Sequence, residues 1–105
     1  MIDLRDKERE AIIALAGKVF SPGTELWAYG SRVKGGSHEG SDLDLAVRAP
    51  QQQEIQLGQL SDFITALQES TIPILVQVLS WQHMPESFKA GILQDHEVLT
   101  VVGEE

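Results

Sequence analysis

Apolar positions along the chain switch between two periods, and the switches divide it into segments. Ala11, Ile12, Leu15, Ala16 and Val19 fall at i, i+1, i+4, i+5 and i+8, one stripe of a helix. That helix is expected from about Asp3 to Phe20, capped by Asp3 or Asp6 and stopped by Ser21-Pro22-Gly23. Thr24 to Tyr29 is β-branched and aromatic and reads as a strand between Gly23 and Gly30. Leu26 and Ala28 share one of its faces, Trp27 and Tyr29 the other. A glycine- and serine-rich connection follows from Gly30 to Ser41, in which Ser31 to Lys34 can form a short helical turn. Asp42 to Arg48 then alternates strictly. Leu43, Leu45 and Val47 point one way, and Asp42, Asp44, Ala46 and Arg48 the other.

Beyond Pro50 the helical period returns. Gln52 to Gln68 carries Ile55, Leu60, Phe63, Ile64 and Leu67 as a core stripe. Ile74 to Trp81 reads as a third strand, apolar enough to predict a central place in a sheet. Pro85 to Asp95 predicts a short helix carrying Phe88, Ile92 and Leu93, and Val98 to Val102 a last strand. This order predicts an α/β (α+β) fold, a small mixed sheet with helices packed on it. With 105 residues, the span 1–105 is expected to be one domain. Apolar residues near Trp81 and Phe88 would suit a homodimer or a hetero-oligomer.

Charge narrows the partners. Eight Lys and Arg against sixteen Asp and Glu give a net charge of −8 and a pI near 4.7. A phosphate backbone or an anionic membrane would meet a repulsive field, so neither is expected as a standing partner. No apolar run approaches the roughly 20 residues of a membrane span. The first ten residues are too charged for a secretory signal. The chain has no cysteine, which removes disulfides, thiol nucleophiles and Cys-bound zinc and fits a reducing cytoplasm.

The chemistry concentrates between Gly30 and Val47. Gly30-Ser31 opens a turn at a strand end, where glycine allows close backbone approach. The Ser31 hydroxyl and nearby N–H groups can donate to phosphate oxygens. Alone, this is also an ordinary turn capped by a serine. Asp42-Leu43-Asp44 places two carboxylates on one side of a strand. At about 4 Å they repel by roughly 4 kcal/mol at an effective dielectric of 20, which a divalent cation relieves. Alone, this is also a solvated strand face. Together, a Gly-Ser turn and a D-x-D strand ten residues later fit Mg²⁺-assisted transfer from a nucleoside triphosphate.

Gly30-Ser31, ten residues, then Asp42-Leu43-Asp44 resembles the signature of the minimal nucleotidyltransferases in the DNA polymerase β-like superfamily. Trp27-Ala28-Tyr29, Arg32 and Ser41 fit beside it, and Trp81, Pro85-Glu86-Ser87-Phe88 and Ile92-Leu93 extend the likeness more weakly. The resemblance implies Asp42 and Asp44 as catalytic metal ligands, and Gly30, Ser31, Arg32 and Ser41 as nucleotide-binding residues. It implies Mg²⁺ as cofactor and ATP as donor of AMP. It also implies an all-helical HEPN-type toxin as partner, whose hydroxyl, on a tyrosine, would accept the AMP, with this chain as the antitoxin.

One departure stands out. The superfamily usually has a third carboxylate on the next strand, and the matching position here is Gln77. An amide can donate to Asp42 or Asp44, or offer its carbonyl to a metal, but it is no base. A lapsed enzyme that neutralises its partner by contact is therefore the alternative. Modification of a small molecule is a third reading, weakened because relatives that do so carry an additional acceptor-binding domain. Gly30 to Ser37 nearly spells a P-loop, but Gly36 stands in place of its lysine. His38, His83 and His96 are too far apart for a local zinc motif. Lys34 could reach phosphate or simply be solvated. Trp27, Tyr29 and Trp81 could stack on a base or pack, and Arg48 could pair with a carboxylate.

Overall fold

A computed structural model describes residues 2, 4–35, 42–50 and 54–103. Helix α1 (Asp6–Val19) leads to strand β1 (Glu25–Tyr29), a one-turn helix α2 (Ser31–Lys34) and strand β2 (Leu43–Arg48). Helix α3 (Leu57–Glu69), strand β3 (Val76–Ser80), helix α4 (Glu86–Gln94) and strand β4 (Glu97–Val101) follow, with a 3₁₀ turn at Trp81–His83. The sheet order is β3-β2-β1-β4. β1 is antiparallel to β2 and β4, and β2 is parallel to β3. A parallel neighbour needs a crossover, which α3 supplies.

Alternation along the strands divides the molecule into two apolar clusters. Leu26, Ala28, Leu43, Leu45, Val47 and Val78 meet Ile12 and Ala16 of α1 and Phe63 and Leu67 of α3. Phe20 and Phe63 pack edge to face there at 5.0 Å. The opposite face holds a smaller cluster of Trp27, Ala46, Met84 and Ile92, with Tyr29 and Trp81 against it. Both face assignments for β1 and β2 agree with the alternation in the sequence.

Several expectations are corrected. The third strand is not central but at the sheet edge. Its apolar run reflects one buried face, through Val78, and a second set, Leu75 and Leu79, that is exposed. The cap of α1 is Arg5, whose N–H donates to Glu8 Oε1 at 3.4 Å, and Asp6 is already helical. Asp3 lies outside the described residues. The second long helix begins at Leu57 rather than Gln52, and Gln51 to Gln53 lie outside the described residues. Ile55 is buried ahead of that helix, with its N–H and carbonyl both bonded to the Gln82 amide. In α4 only Ile92 is buried, while Phe88 and Leu93 are exposed.

Candidate nucleotidyltransferase site

Three neighbouring strands bring Tyr29, Asp44 and Gln77 into one row. Tyr29 registers with Asp44 across β1 and β2, and Asp44 with Gln77 across β2 and β3. Residues opposite one another in a sheet share a face. This is the face of Trp27 and Ala46, and the row meets the small cluster only through Tyr29. Asp42, just ahead of β2, joins the row because Gln77 Nε2 donates to Asp42 Oδ2 at 3.0 Å.

The row has its own electrostatics. The Asp44 carboxyl is raised above its ordinary value, first by burial and then by the negative charge of Asp42. Tyr29 is pushed up to about 12, first by burial and then by the charge of Asp44. The phenol therefore stays a hydrogen-bond donor at any physiological pH. Phe88 packs edge to face on its ring at 5.8 Å.

Gly30 turns the chain out of β1 with φ at 82°, a conformation that side chains disfavour. Its carbonyl accepts the N–H groups of Val33 and Lys34 at 3.0 and 2.9 Å, which winds α2. A Cβ at residue 30 would collide with Asp44 Oδ2. Backbone and carboxylate thus both require glycine here. Ser31, the first residue of α2, is exposed, and the first N–H groups of a helical turn have no acceptor within it. Arg32 is only 5% exposed, whereas Lys34 is exposed. Ser41 and His38 lie outside the described residues.

The other singled-out residues pack. Trp27 is buried, stacked on His96 at 4.1 Å and tilted against Trp81 at 5.2 Å. Its Nε1 donates to Glu25 Oε1 at 3.0 Å. Arg48 lies over the Trp27 and Trp81 rings at 4.4 and 5.3 Å. His96 Nδ1 is 2.8 Å from the Ile92 carbonyl oxygen. Among the described residues no group of three His, Asp or Glu could hold a metal, so no third acid joins Asp42 and Asp44.

Tyr29 is the residue that sequence reasoning left out of the site. Its signal was present, because it ends β1 directly before Gly30 on the face opposite Leu26 and Ala28. Antiparallel pairing then sets it across from a carboxylate of the D-x-D pair.

A glycine turn feeding a D-x-D strand of a mixed sheet defines a nucleotidyltransferase domain. The family model described as "Polymerase beta, Nucleotidyltransferase" matches residues 10–104, and the chain belongs to that family. It is 31% identical over 98 residues to the probable protein adenylyltransferase MntA of Haemophilus influenzae, which spans 93% of this chain and 83% of that protein. A solved toxin–antitoxin with AMP-PNP superposes with a TM-score of 0.71 at 18% identity, over 91% of this chain and 75% of the other. A toxin–antitoxin MntA–HpeT mutant gives 0.70 at 16% identity with the same coverage. At such identities these two structures speak for the fold.

Proposed function

We propose that this chain is a Mg²⁺-dependent protein adenylyltransferase. It transfers AMP from ATP to a tyrosine hydroxyl of an all-helical HEPN-type toxin in the cytoplasm, breaking the bond between the α- and β-phosphates and releasing pyrophosphate, and so acts as the antitoxin. The observation that carries the reading is Asp44 set against the Gly30 turn, with the charge of Asp42 close enough to act on it. The MntA relative, named as a probable protein adenylyltransferase, and the toxin–antitoxin structural neighbours support it. The HEPN type of the partner rests on the family resemblance alone.

Asp42 and Asp44 fit a hard divalent cation: burial first and the charge of Asp42 second raise the Asp44 carboxyl, and a divalent cation would offset that second, repulsive part. The side-chain carbonyl of Gln77 would offer a further oxygen beside the two carboxylates. Bound there, the ion would neutralise the phosphates of ATP. The remaining roles belong to the chain. Gly30 leaves space beside Asp44, and Ser31 offers its hydroxyl and N–H to the outer phosphates. Arg32, held in a buried position, contributes fixed positive charge, and Ser41 completes the proposed nucleotide contacts. Gln77 cannot take the acceptor's proton, which must leave through water or the acceptor's own surroundings.

One observation favours a second reading. The Gln77 amide already occupies a carboxylate oxygen of Asp42, as it would in a lapsed site that only binds its partner. Label transfer from α-³²P-ATP to the co-expressed toxin separates the two. Transfer by wild type that is lost in Asp44→Asn supports the enzyme. Transfer by Gln77→Asp but not by wild type supports the lapsed site.

A further inference from the structure

The outer edge of β3 is unguarded. In a parallel pair, alternate residues turn both backbone groups to the same neighbour. The Leu43 N–H bonds to the Leu75 carbonyl at 2.9 Å, so Leu75, Gln77 and Leu79 turn toward β2. Val76, Val78 and Ser80 therefore direct N–H and C=O outward, where no strand takes them up among the described residues. Sheet edges are normally protected by charges, prolines or bulges. The opposite edge, β4, has both Glu97 and a register shift opposite Leu26 and Trp27. From Ser70 to Pro85 the chain has no Asp, Glu, Lys or Arg, although the whole carries −8.

The same edge is apolar. Leu75, Leu79 and Phe88 are exposed along it. A groove of about 340 Å³ beside β3 is lined by Leu60, Val78, Leu79, Ser80, Met84 and Phe88 among others. Ser80 is 6% exposed, and its hydroxyl has no hydrogen-bond partner among the described residues.

We infer that this edge is the seam of a homodimer, in which β3 of two copies pairs antiparallel about a twofold axis at Val78. The pairing is self-complementary, as an isologous contact requires. Val76 stands opposite Ser80 and Val78 opposite itself, so all three outward residues exchange backbone bonds. Each groove receives apolar side chains of the other copy. Charge selects the occupant. A basic partner would find no carboxylate along residues 70–85, whereas two bodies of −8 meet at least electrostatic cost where neither presents charge. A standard interface takes about 800 Å² from each copy, roughly one-eighth of this chain's 6297 Å² surface. The edge from Leu75 to Ser80 is about 20 Å long, on a body at least 23 Å across in each direction. In this register Gln77 faces Leu79 of the second copy, so the seam borders the candidate site. The inference stands independently of the transfer reading.

Light scattering on the full chain tests it, with far-UV circular dichroism to verify folding. Wild type is expected at twice 11.6 kDa, with tighter association as salt screens the mutual repulsion. Leu79→Glu is expected at the monomer mass, whereas Val98→Glu on the opposite edge stays dimeric. Because the chain has no cysteine, Val78→Cys provides a second measurement. Opposed residues of a hydrogen-bonded pair lie about 5.5 Å apart at Cα, within disulfide range, so mild oxidation is expected to give a covalent dimer. A monomeric wild type at every salt concentration overturns the inference. So does a dimer that survives Leu79→Glu and does not cross-link at residue 78.

Discussion

The Asp44 carboxylate fills the space in which a side chain on Gly30 would begin. The turn and the acid are therefore one mechanical unit, although thirteen residues separate them in the chain. Gly30→Ala is expected to displace Asp44 and to strain a backbone held at φ 82°. The cost should be about 1–3 kcal/mol, with at least a tenfold loss of transfer. Gly35→Ala is the control, since its φ of 102° gives strain but nothing among the described residues lies within 4 Å of the added carbon. Urea unfolding and label transfer on both variants check this. Equal loss of transfer in the two would show that strain alone matters.

Asp44→Asn should abolish transfer while leaving the fold intact. Its pH dependence follows from the raised carboxyl. A group whose folded pKa exceeds its unfolded value of 3.8 favours the fold most below that value and loses this contribution as pH rises through the folded pKa. At neutral pH the charged Asp44 is thus a burden on the fold. In metal-free buffer the variant should melt at or above the wild-type temperature at pH 7, with the gap closing toward pH 4. Thermal melts across that range read the sign directly.

The chain has one tyrosine, so absorbance titration reports Tyr29 alone. Its ionisation should centre near 12, and stability held below pH 10 should be lost as pH rises through that midpoint. In Asp44→Asn the midpoint should fall but stay above 10, because burial, the larger cause, remains. A midpoint unmoved by the substitution would mean that the two groups do not sense each other.

Gln77→Asp would place a third negative charge beside Asp42 and Asp44. In EDTA this variant should melt below wild type, and Mg²⁺ should raise its melting temperature by more than it raises that of wild type. Differential scanning calorimetry with and without Mg²⁺ checks both effects.

Phe63 is fully buried against Phe20 on the α1–α3 face. Phe63→Ala should cost about 3–5 kcal/mol, read as a shift in urea midpoint. Any Asp42–Asp44 chemistry should survive under conditions where the variant remains folded.

The sequence made the two faces of β1 and β2 legible because strict alternation leaves only one way to bury Leu43, Leu45 and Val47. It also located Gln77, since Trp81 and the apolar period set the register of β3. It misplaced β3 within the sheet for a physical reason. A run such as Ile74-Leu75-Val76 reads as buried on both sides, and nothing local distinguishes a central strand from an edge whose outer side is apolar. The first cap was missed because Arg5 uses its backbone N–H with Glu8 rather than a side-chain acceptor. Tyr29 was read only as a residue that stacks or packs, because its place opposite Asp44 depends on which strand lies beside β1, a long-range fact.

The two apolar clusters lie on opposite faces of one sheet, and the row of Tyr29, Asp44 and Gln77 meets the smaller one only through Tyr29. Folding and chemistry thus draw on largely separate sets of residues. An exchange between amide and acid at exposed position 77 leaves every contact of the α1–α3 core untouched. A lineage could therefore gain or lose the third acid in a single step without passing through an unfolded intermediate.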